Sequence, residues 1–100
     1  MPEEEKRAVA LKYEPEEDRA PRVVAKGRGY LAELILEVAR EHGIPIRRDT
    51  ELLEKLYHLE IEAEIPPELY EAVAVILAWA YRLNRKASSP SGPRAGGRKD

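Results

Sequence analysis

Cysteine is absent from the 100 residues of this chain. Neither a disulfide framework nor a thiolate metal site is therefore possible. A long apolar run is also missing: a bilayer-spanning helix needs roughly 20 apolar residues, and the most apolar stretch, Ala72 to Ala80, is about half as long. The first five residues, MPEEE, are acidic, which is the opposite of the start of a signal peptide. These absences predict a protein that is made and kept in the cytoplasm.

Side chains that carry catalysis are also scarce. Histidine occurs twice, as His42 and His58, and each is expected at the surface near a helix end. Serine occurs only between positions 88 and 91, in a segment expected to be disordered, so a Ser–His–acid triad with a rigidly held nucleophile is not expected. Adjacent acids such as Glu16 and Glu17 are typical of solvated faces. The sequence predicts no catalytic residue, no metal site and no cofactor.

The charge is unevenly distributed along the chain. Residues 84–100 carry a net +4, whereas the first 83 residues carry twelve basic and eighteen acidic side chains, a net of −6. An acidic body disfavours nucleic acid as a partner. The basic segment is rich in Ser, Pro and Gly, which predicts a disordered, solvated tail over residues 84–100. Residues 1–7 are predicted to be a charged, flexible N-terminus.

The apolar pattern of the first third predicts two strands. Residues 8–13 and 22–26 are short apolar runs, and the polar residues 14–21 between them contain two prolines. The second run is followed by Lys26-Gly27-Arg28-Gly29. A glycine-containing loop before a helix can bind an anion through backbone N–H groups. This loop lacks a full dinucleotide or Walker fingerprint, and we interpret it as a tight strand-to-helix turn.

A helix and a third strand are predicted next. The helix is indicated by apolar residues at i, i+3, i+4, i+7 and i+8: Leu31, Leu34, Ile35, Val38 and Ala39. Gly43 is placed to end it. Residues 44–48 predict a third short strand, in which Pro45 must lie at an edge, a strand start or a bulge. The strand–helix–strand order over residues 22–48 predicts a parallel strand pair.

Two further helices complete the predicted domain. Asp49 or Thr50 can cap the second, and Pro66-Pro67 suits the first turn of the third, which is expected to end near Leu83. The predicted fold class is α/β (α+β-like), with a small mixed sheet of three to four short strands surrounded by three helices over residues 8–83.

Five blocks of sequence in one order are similar to a known domain: AVALKY at 8–13, APRVVAKG at 20–27, AREHGIP at 39–45, IPPELY at 65–70 and VAVILAW at 73–79. Together they resemble the C-terminal cytoplasmic domain of the FlhB/YscU family of type III export switch proteins. The resemblance covers about residues 7–83 and implies a small sheet surrounded by helices.

The resemblance fails at the family's self-cleavage motif, Asn-Pro-Thr-His. Aligned on this chain, the four motif positions fall on Glu3, Glu4, Glu5 and Lys6, and the one asparagine is Asn84. We therefore expect no self-cleavage and no enzyme activity. The chain corresponds in length to the downstream fragment that cleavage leaves.

The resemblance implies a non-enzymatic protein-binding module of the flagellar type III export apparatus. It would act in substrate recognition or specificity switching at the inner face of the membrane, with export-gate proteins or flagellar export subunits as partners. The positions that match the family's substrate-binding patch are Ala20, Pro21, Ala74 and Leu77. Packing of Ala74 and Leu77 in the core is the alternative interpretation.

By the same resemblance, we expect this chain to lack the family's upstream strand and membrane helices. We therefore expect an open sheet edge, which is a template for strand addition. The N-terminal part of a full-length homologue is one predicted occupant, and a second copy of this chain is another. A regulatory decoy that competes with the full-length switch protein at the gate is the alternative function.

Overall fold

The structure is a computed structural model that describes residues 5–88. The flexible N-terminus and disordered tail predicted above fall mostly on residues 1–4 and 89–100, which lie outside the described residues. The chain divides into two compact units, and the division falls between Tyr70 and Glu71. Within the described range, no helix has both the length and the apolar character needed to cross a bilayer.

The first unit is built on two antiparallel strands, β1 (Arg7–Lys12) and β2 (Arg22–Arg28). Ala8 pairs with Gly27, and the register shifts by one residue between Ala10 and Leu11, which is a β-bulge. Because side chains alternate across a strand, Ala8 and Gly27 share one face of the sheet. Arg7, Lys26 and Arg28 belong to the opposite face.

Each face of the sheet is covered by one helix. Helix α1 (Tyr30–Glu41) packs on the face of Gly27, where a Cβ atom would lie 2.6 Å from Leu31 Cγ. Helix α2 (Thr50–Tyr57) lies on the other face, where the ammonium group of Lys26 donates to the backbone carbonyl of Tyr57 at 2.9 Å. The buried apolar residues of this unit are Ala8, Ala20, Val23, Ala32, Leu52, Leu56, Ile65 and Leu69.

The helix ends follow the predicted signals. Gly43 has φ 68°, and its N–H and that of Ile44 donate to the carbonyls of Arg40 and Ala39, which is a Schellman motif. At the start of α2, the Asp49 side chain accepts a hydrogen bond from Leu52 N at 3.1 Å. Asp49, and not Thr50, is therefore the N-cap.

The predicted third strand and the parallel pair are wrong. Within residues 5–88 the sheet has two strands, and residues 44–48 form no ladder. The second edge of β2 is instead met by the segment that precedes the third helix: Val23 N donates to Ala63 O at 3.1 Å, and Ile65 N donates to Pro21 O at 2.8 Å. That segment adds one isolated antiparallel bridge, between Arg22 and Glu64. Pro45 has no N–H with which to compete for the same edge.

The apolar stripe predicted on α1 is only partly buried. Ala32 is fully buried, whereas Leu31, Leu34 and Val38 are 40–49% exposed. Since a two-stranded sheet is narrow, it covers one side of the apolar arc of α1 and leaves the other side open.

The third helix, α3 (Tyr70–Ser88), follows directly after a 3-10 turn at Pro67–Leu69. The sequence predicts Pro66 and Pro67 in the first turn of this helix, but Pro67 begins the 3-10 turn that precedes α3, where its missing N–H has no partner to lose. The helix extends several residues beyond the predicted end near Leu83. In the second unit, Val73 is fully buried.

Candidate functional site

The first half of the predicted binding patch, Ala20 and Pro21, lies at the entrance to β2. Ala20 is buried at 3% exposure, and Pro21 is half-buried. The carbonyl of Pro21 accepts a hydrogen bond from Ile65 N at 2.8 Å. The backbone of this pair is therefore held against a neighbouring segment.

Arg22 ties the surrounding turn to the same segment. Its guanidinium lies 3.5 Å from Asp18 Oδ1 and forms an ion pair with Glu62. The other carboxylate oxygen of Asp18 accepts a hydrogen bond from Glu14 N at 2.8 Å, and the Asp18 side chain is only 13% exposed. Glu62 has φ 75°, an uncommon conformation for a residue other than glycine. These contacts hold Ala20 and Pro21 in one conformation.

The second half of the patch, Ala74 and Leu77, lies on α3 in the other unit. The two residues are three positions apart, so they share one face of the helix. Ala74 is exposed and Leu77 is half-buried, and neither is among the fully buried residues. Both therefore keep surface that a partner can contact, and their assignment as a binding patch stays a prediction.

A second candidate site is an open depression of about 590 Å³ on the α2 side of the sheet. We call it the basic depression. Its lining residues are Glu5, Arg7, Lys26, Arg28, Tyr57 and His58. Three strand cations and a histidine thus line the depression together with one acid and one aromatic ring, and the ring is contacted by Arg7 and Lys26.

Lys26 is the most strongly held cation in the basic depression. Its ammonium group donates to the carbonyls of Tyr57, at 2.9 Å, and Leu59, at 2.6 Å, and lies 5.4 Å from the centre of the Tyr57 ring. The last carbonyls of a helix have no intrahelical partner and carry partial negative charge, so a lysine ammonium stabilises them. Lys26 therefore fastens the end of α2 to the sheet.

The two arginines are held less firmly. Arg7 pairs with Glu54 at 3.3 Å, and its guanidinium is also 5.4 Å from the centre of the Tyr57 ring. Arg28 and Glu5 are 3.8 Å apart, and their side chains are 70% and 56% exposed. An exposed pair at this distance is weak and easily exchanged. The Arg28 guanidinium is therefore accessible to another carboxylate.

The predicted turn at residues 26–29 is only partly correct. Gly27 and Arg28 belong to β2, and the turn is confined to Gly29, whose N–H donates to Lys6 O at 2.7 Å. The side chains of Lys26 and Arg28, and not the loop backbone, face the depression. Lys26 and Arg28 are two positions apart on a strand and so share a face, and this spacing could have predicted that they lie together. Sequence reasoning missed Arg7, Tyr57 and His58, which tertiary packing brings there.

Both histidines are exposed, as the sequence predicts. His42 Nδ1 donates to the carbonyl of Val38 at 3.0 Å, within its own helix. Among the described residues, no three histidine, cysteine or acidic side chains lie close enough to hold a metal ion.

Comparison with known proteins places these features in one family. A model of the FlhB, HrpN, YscU and SpaS family matches residues 5–80. The chain is 40% identical to the uncharacterized protein YlqH of Bacillus subtilis over 84 residues, which are 84% of this chain and 90% of YlqH. It is 48% identical to the flagellar biosynthetic protein FlhB of Aquifex aeolicus over 80 residues, which are 79% of this chain but 23% of that FlhB.

Solved structures show the same fold. The cytoplasmic domain of FlhB from Shewanella putrefaciens matches with a TM-score of 0.78 and 38% identity, covering 82% of this chain and 64% of that domain. The C-terminal domain of the EscU H265A mutant matches with a TM-score of 0.75 and 27% identity, covering 77% of this chain and 94% of that domain. The family resemblance and the α/β class inferred from sequence are confirmed: this chain belongs to the FlhB, HrpN, YscU and SpaS family, in the region of its C-terminal cytoplasmic domain.

Proposed function

We propose that this chain is a non-enzymatic protein-binding module of the flagellar type III export apparatus, acting at the export gate in substrate recognition or specificity switching. The observation that carries the proposal is the match of residues 5–80 to the export family. In pairwise alignment, the chain covers less than a quarter of the FlhB of Aquifex aeolicus and nearly all of YlqH. A domain found both within FlhB and in a protein as short as YlqH suits a module that works through binding surfaces.

The proposed contact with export subunits involves Ala20, Pro21, Ala74 and Leu77. In the first unit, the half-buried Pro21 gives a small apolar surface at the entrance to β2, next to the buried Ala20. In the second, Leu77 offers a half-buried apolar side chain beside the small, exposed Ala74. Shallow apolar surfaces of this kind suit an extended apolar peptide segment.

Leu77→Asp tests this contact, with Leu83→Asp as the matched control. Leu83 is 43% exposed on the same helix and lies outside the proposed contact. We expect Leu77→Asp to weaken binding to a purified hook-type subunit by about tenfold or more, because truncation or charge at an interface centre has effects of this size. Leu83→Asp should leave binding within about twofold. Equal affinities for both variants, with circular dichroism showing an intact fold, would contradict the patch.

Deletion of the gene in a flagellated host separates a component from a regulatory decoy. We expect loss of hook or filament export, measured as secreted subunit in the medium, and restoration by the wild-type gene. Increased or deregulated export in the deletion strain would favour the decoy. Normal export, together with recovery of no gate or flagellar protein in a pull-down from the host, would contradict both functions.

The outer edge of β1 is the proposed site of strand addition. Among the described residues, β1 pairs with β2 alone, so its other backbone edge meets no strand. A strand from the N-terminal part of a full-length homologue is the proposed occupant, with a second copy of this chain as the alternative. Sedimentation equilibrium distinguishes them, because self-pairing gives a concentration-dependent dimer without any added partner.

A further inference from the structure

One cation of the basic depression, Arg28, is held only weakly by its contacts within the described residues. Lys26 is committed to the end of α2, and Arg7 is committed to Glu54 and the Tyr57 ring. Among the described residues, the ion pair of Arg28 is with the exposed Glu5 carboxylate, at 3.8 Å, and the exposed His58 also lines the depression. The rim of the depression therefore holds a cation with a weak and replaceable partner.

The position of Glu5 indicates which chemical group binds next to Arg28 in the depression. It lies on the depression just before β1, and its carboxylate oxygen would be 3.1 Å from a Cβ atom at Gly29. The carboxylate thus reaches the end of β2 from a residue two positions before β1. A carboxylate is therefore the group that contacts Arg28 in the free chain.

A short acidic peptide fits this surface better than a nucleic acid does. The first 83 residues carry a net −6, which repels every anion but acts most strongly on a long polyanion that extends beyond the depression. Arg7, Lys26 and Arg28 outnumber their paired carboxylates Glu5 and Glu54 by one charge, so the cluster attracts one further carboxylate within the roughly 10 Å over which charges act at ordinary salt concentration. Arginine also matches the planar carboxylate group in geometry.

We propose that the basic depression binds an acidic, extended segment of a partner protein, with a partner carboxylate on Arg28 in the place that Glu5 holds in the free chain. The residues that line the depression do not include Ala20, Pro21, Ala74 or Leu77. Failure of the subunit-binding patch therefore leaves this proposal untouched, and the reverse is also true.

The test uses the full-length chain labelled with ¹⁵N and a peptide of six glutamates as the probe, followed by NMR titration. We expect the largest amide shifts at residues 26–29 and at Tyr57 and His58. Glu5→Gln should tighten binding, and Arg28→Gln should weaken it, each by about threefold, which is the size expected for one exposed ion pair. Arg40→Gln is the matched control, because Arg40 is an exposed cation on α1, away from the depression.

Four results would overturn the proposal. The first is no shift at residues 26–29, and the second is equal weakening by Arg28→Gln and Arg40→Gln, which would show a general effect of net charge. The third is equal binding of a peptide of six glutamines. The fourth is tighter binding of a single-stranded DNA ten-mer, which would assign the surface to phosphates of nucleic acid.

Discussion

The two faces of the β1–β2 sheet hold their helices by different means. On the α1 face, Ala8 is buried and Gly27 leaves no room for even one more carbon atom below Leu31. On the α2 face, Lys26 and Arg7 reach across and hold α2 through backbone carbonyls and a carboxylate. Close packing gives the first face little tolerance for added volume. The second face buries Leu52 and Leu56 of α2 and adds the donor groups of its cations.

The largest expected effect comes from adding one carbon atom to the closely packed face. Gly27→Ala would place a Cβ atom 2.6 Å from Leu31 Cγ and 2.9 Å from Leu31 Cβ, so the backbone of α1 must move. We expect a loss of about 2 kcal/mol in the free energy of unfolding, typical of overpacking. Urea denaturation measures it.

Leu31→Ala supplies the control for this substitution. Leu31 is 49% exposed, so its truncation alone should cost about 1 kcal/mol or less. In the double variant the 2.6 Å contact with Cγ is lost and only the 2.9 Å contact with Cβ remains, so the combined loss should be smaller than the sum of the two single losses. Full additivity, or a Gly27→Ala variant as stable as the wild type, would show that the α1 face is not closely packed.

Removing the central cation of the other face should have the next largest effect. Lys26→Met keeps the aliphatic stem but leaves the carbonyls of Tyr57 and Leu59 without the ammonium donor. We expect a loss of about 1.5 kcal/mol, the value of hydrogen bonds from a charged donor. Amide hydrogen exchange should quicken in α2 more than in α1. Lys12→Met, at an exposed strand end, is the matched control. Equal losses of stability in Lys26→Met and Lys12→Met would show that Lys26 does not stabilise the end of α2.

The strands, the helices and two of the helix ends could be predicted from local sequence patterns. The periods of two and 3.6 residues predict β1, β2 and the three helices, because each depends on local alternation of apolar and polar side chains. The caps at Gly43 and Asp49 follow from local backbone chemistry in the same way. The family could be recognised from sequence blocks such as residues 20–27, because their combined pattern can be compared without a structure.

Local patterns could not predict which segments distant in sequence would pair with one another. Residues 44–48 have the composition of a strand, but a strand needs a free edge, and residues 62–65 meet β2 first. The basic depression was missed for the same reason. Lys26 and Arg28 are close in sequence, whereas Arg7 and Tyr57 join them only after the sheet and α2 have formed.

A third prediction sharpens the comparison at the other end of α2. The helix has eight residues, fewer than an isolated helix needs for stability, so it depends on contacts at both ends. Asp49→Ala removes the acceptor for Leu52 N and should cost about 1 kcal/mol. Asp49→Asn is the matched control, since asparagine caps equally well. Thermal unfolding of both variants measures the difference, and an equal loss in both would assign the effect to charge and not to capping.

The smallest expected effect concerns the outermost ion pair of the α2 face. Glu54→Gln removes the charge that Arg7 meets at 3.3 Å, and Glu54 is 62% exposed. We expect a loss of about 0.5 kcal/mol at low ionic strength, as for other exposed pairs. The loss should fade in about 1 M salt, where screening acts within roughly 3 Å. Glu37→Gln, an exposed acid on α1, is the control and should change stability less at either salt concentration. A loss at Glu54 that persists in high salt would mean that the pair acts by positioning Arg7 over the Tyr57 ring, because packing of the ring and guanidinium is not screened in the same way.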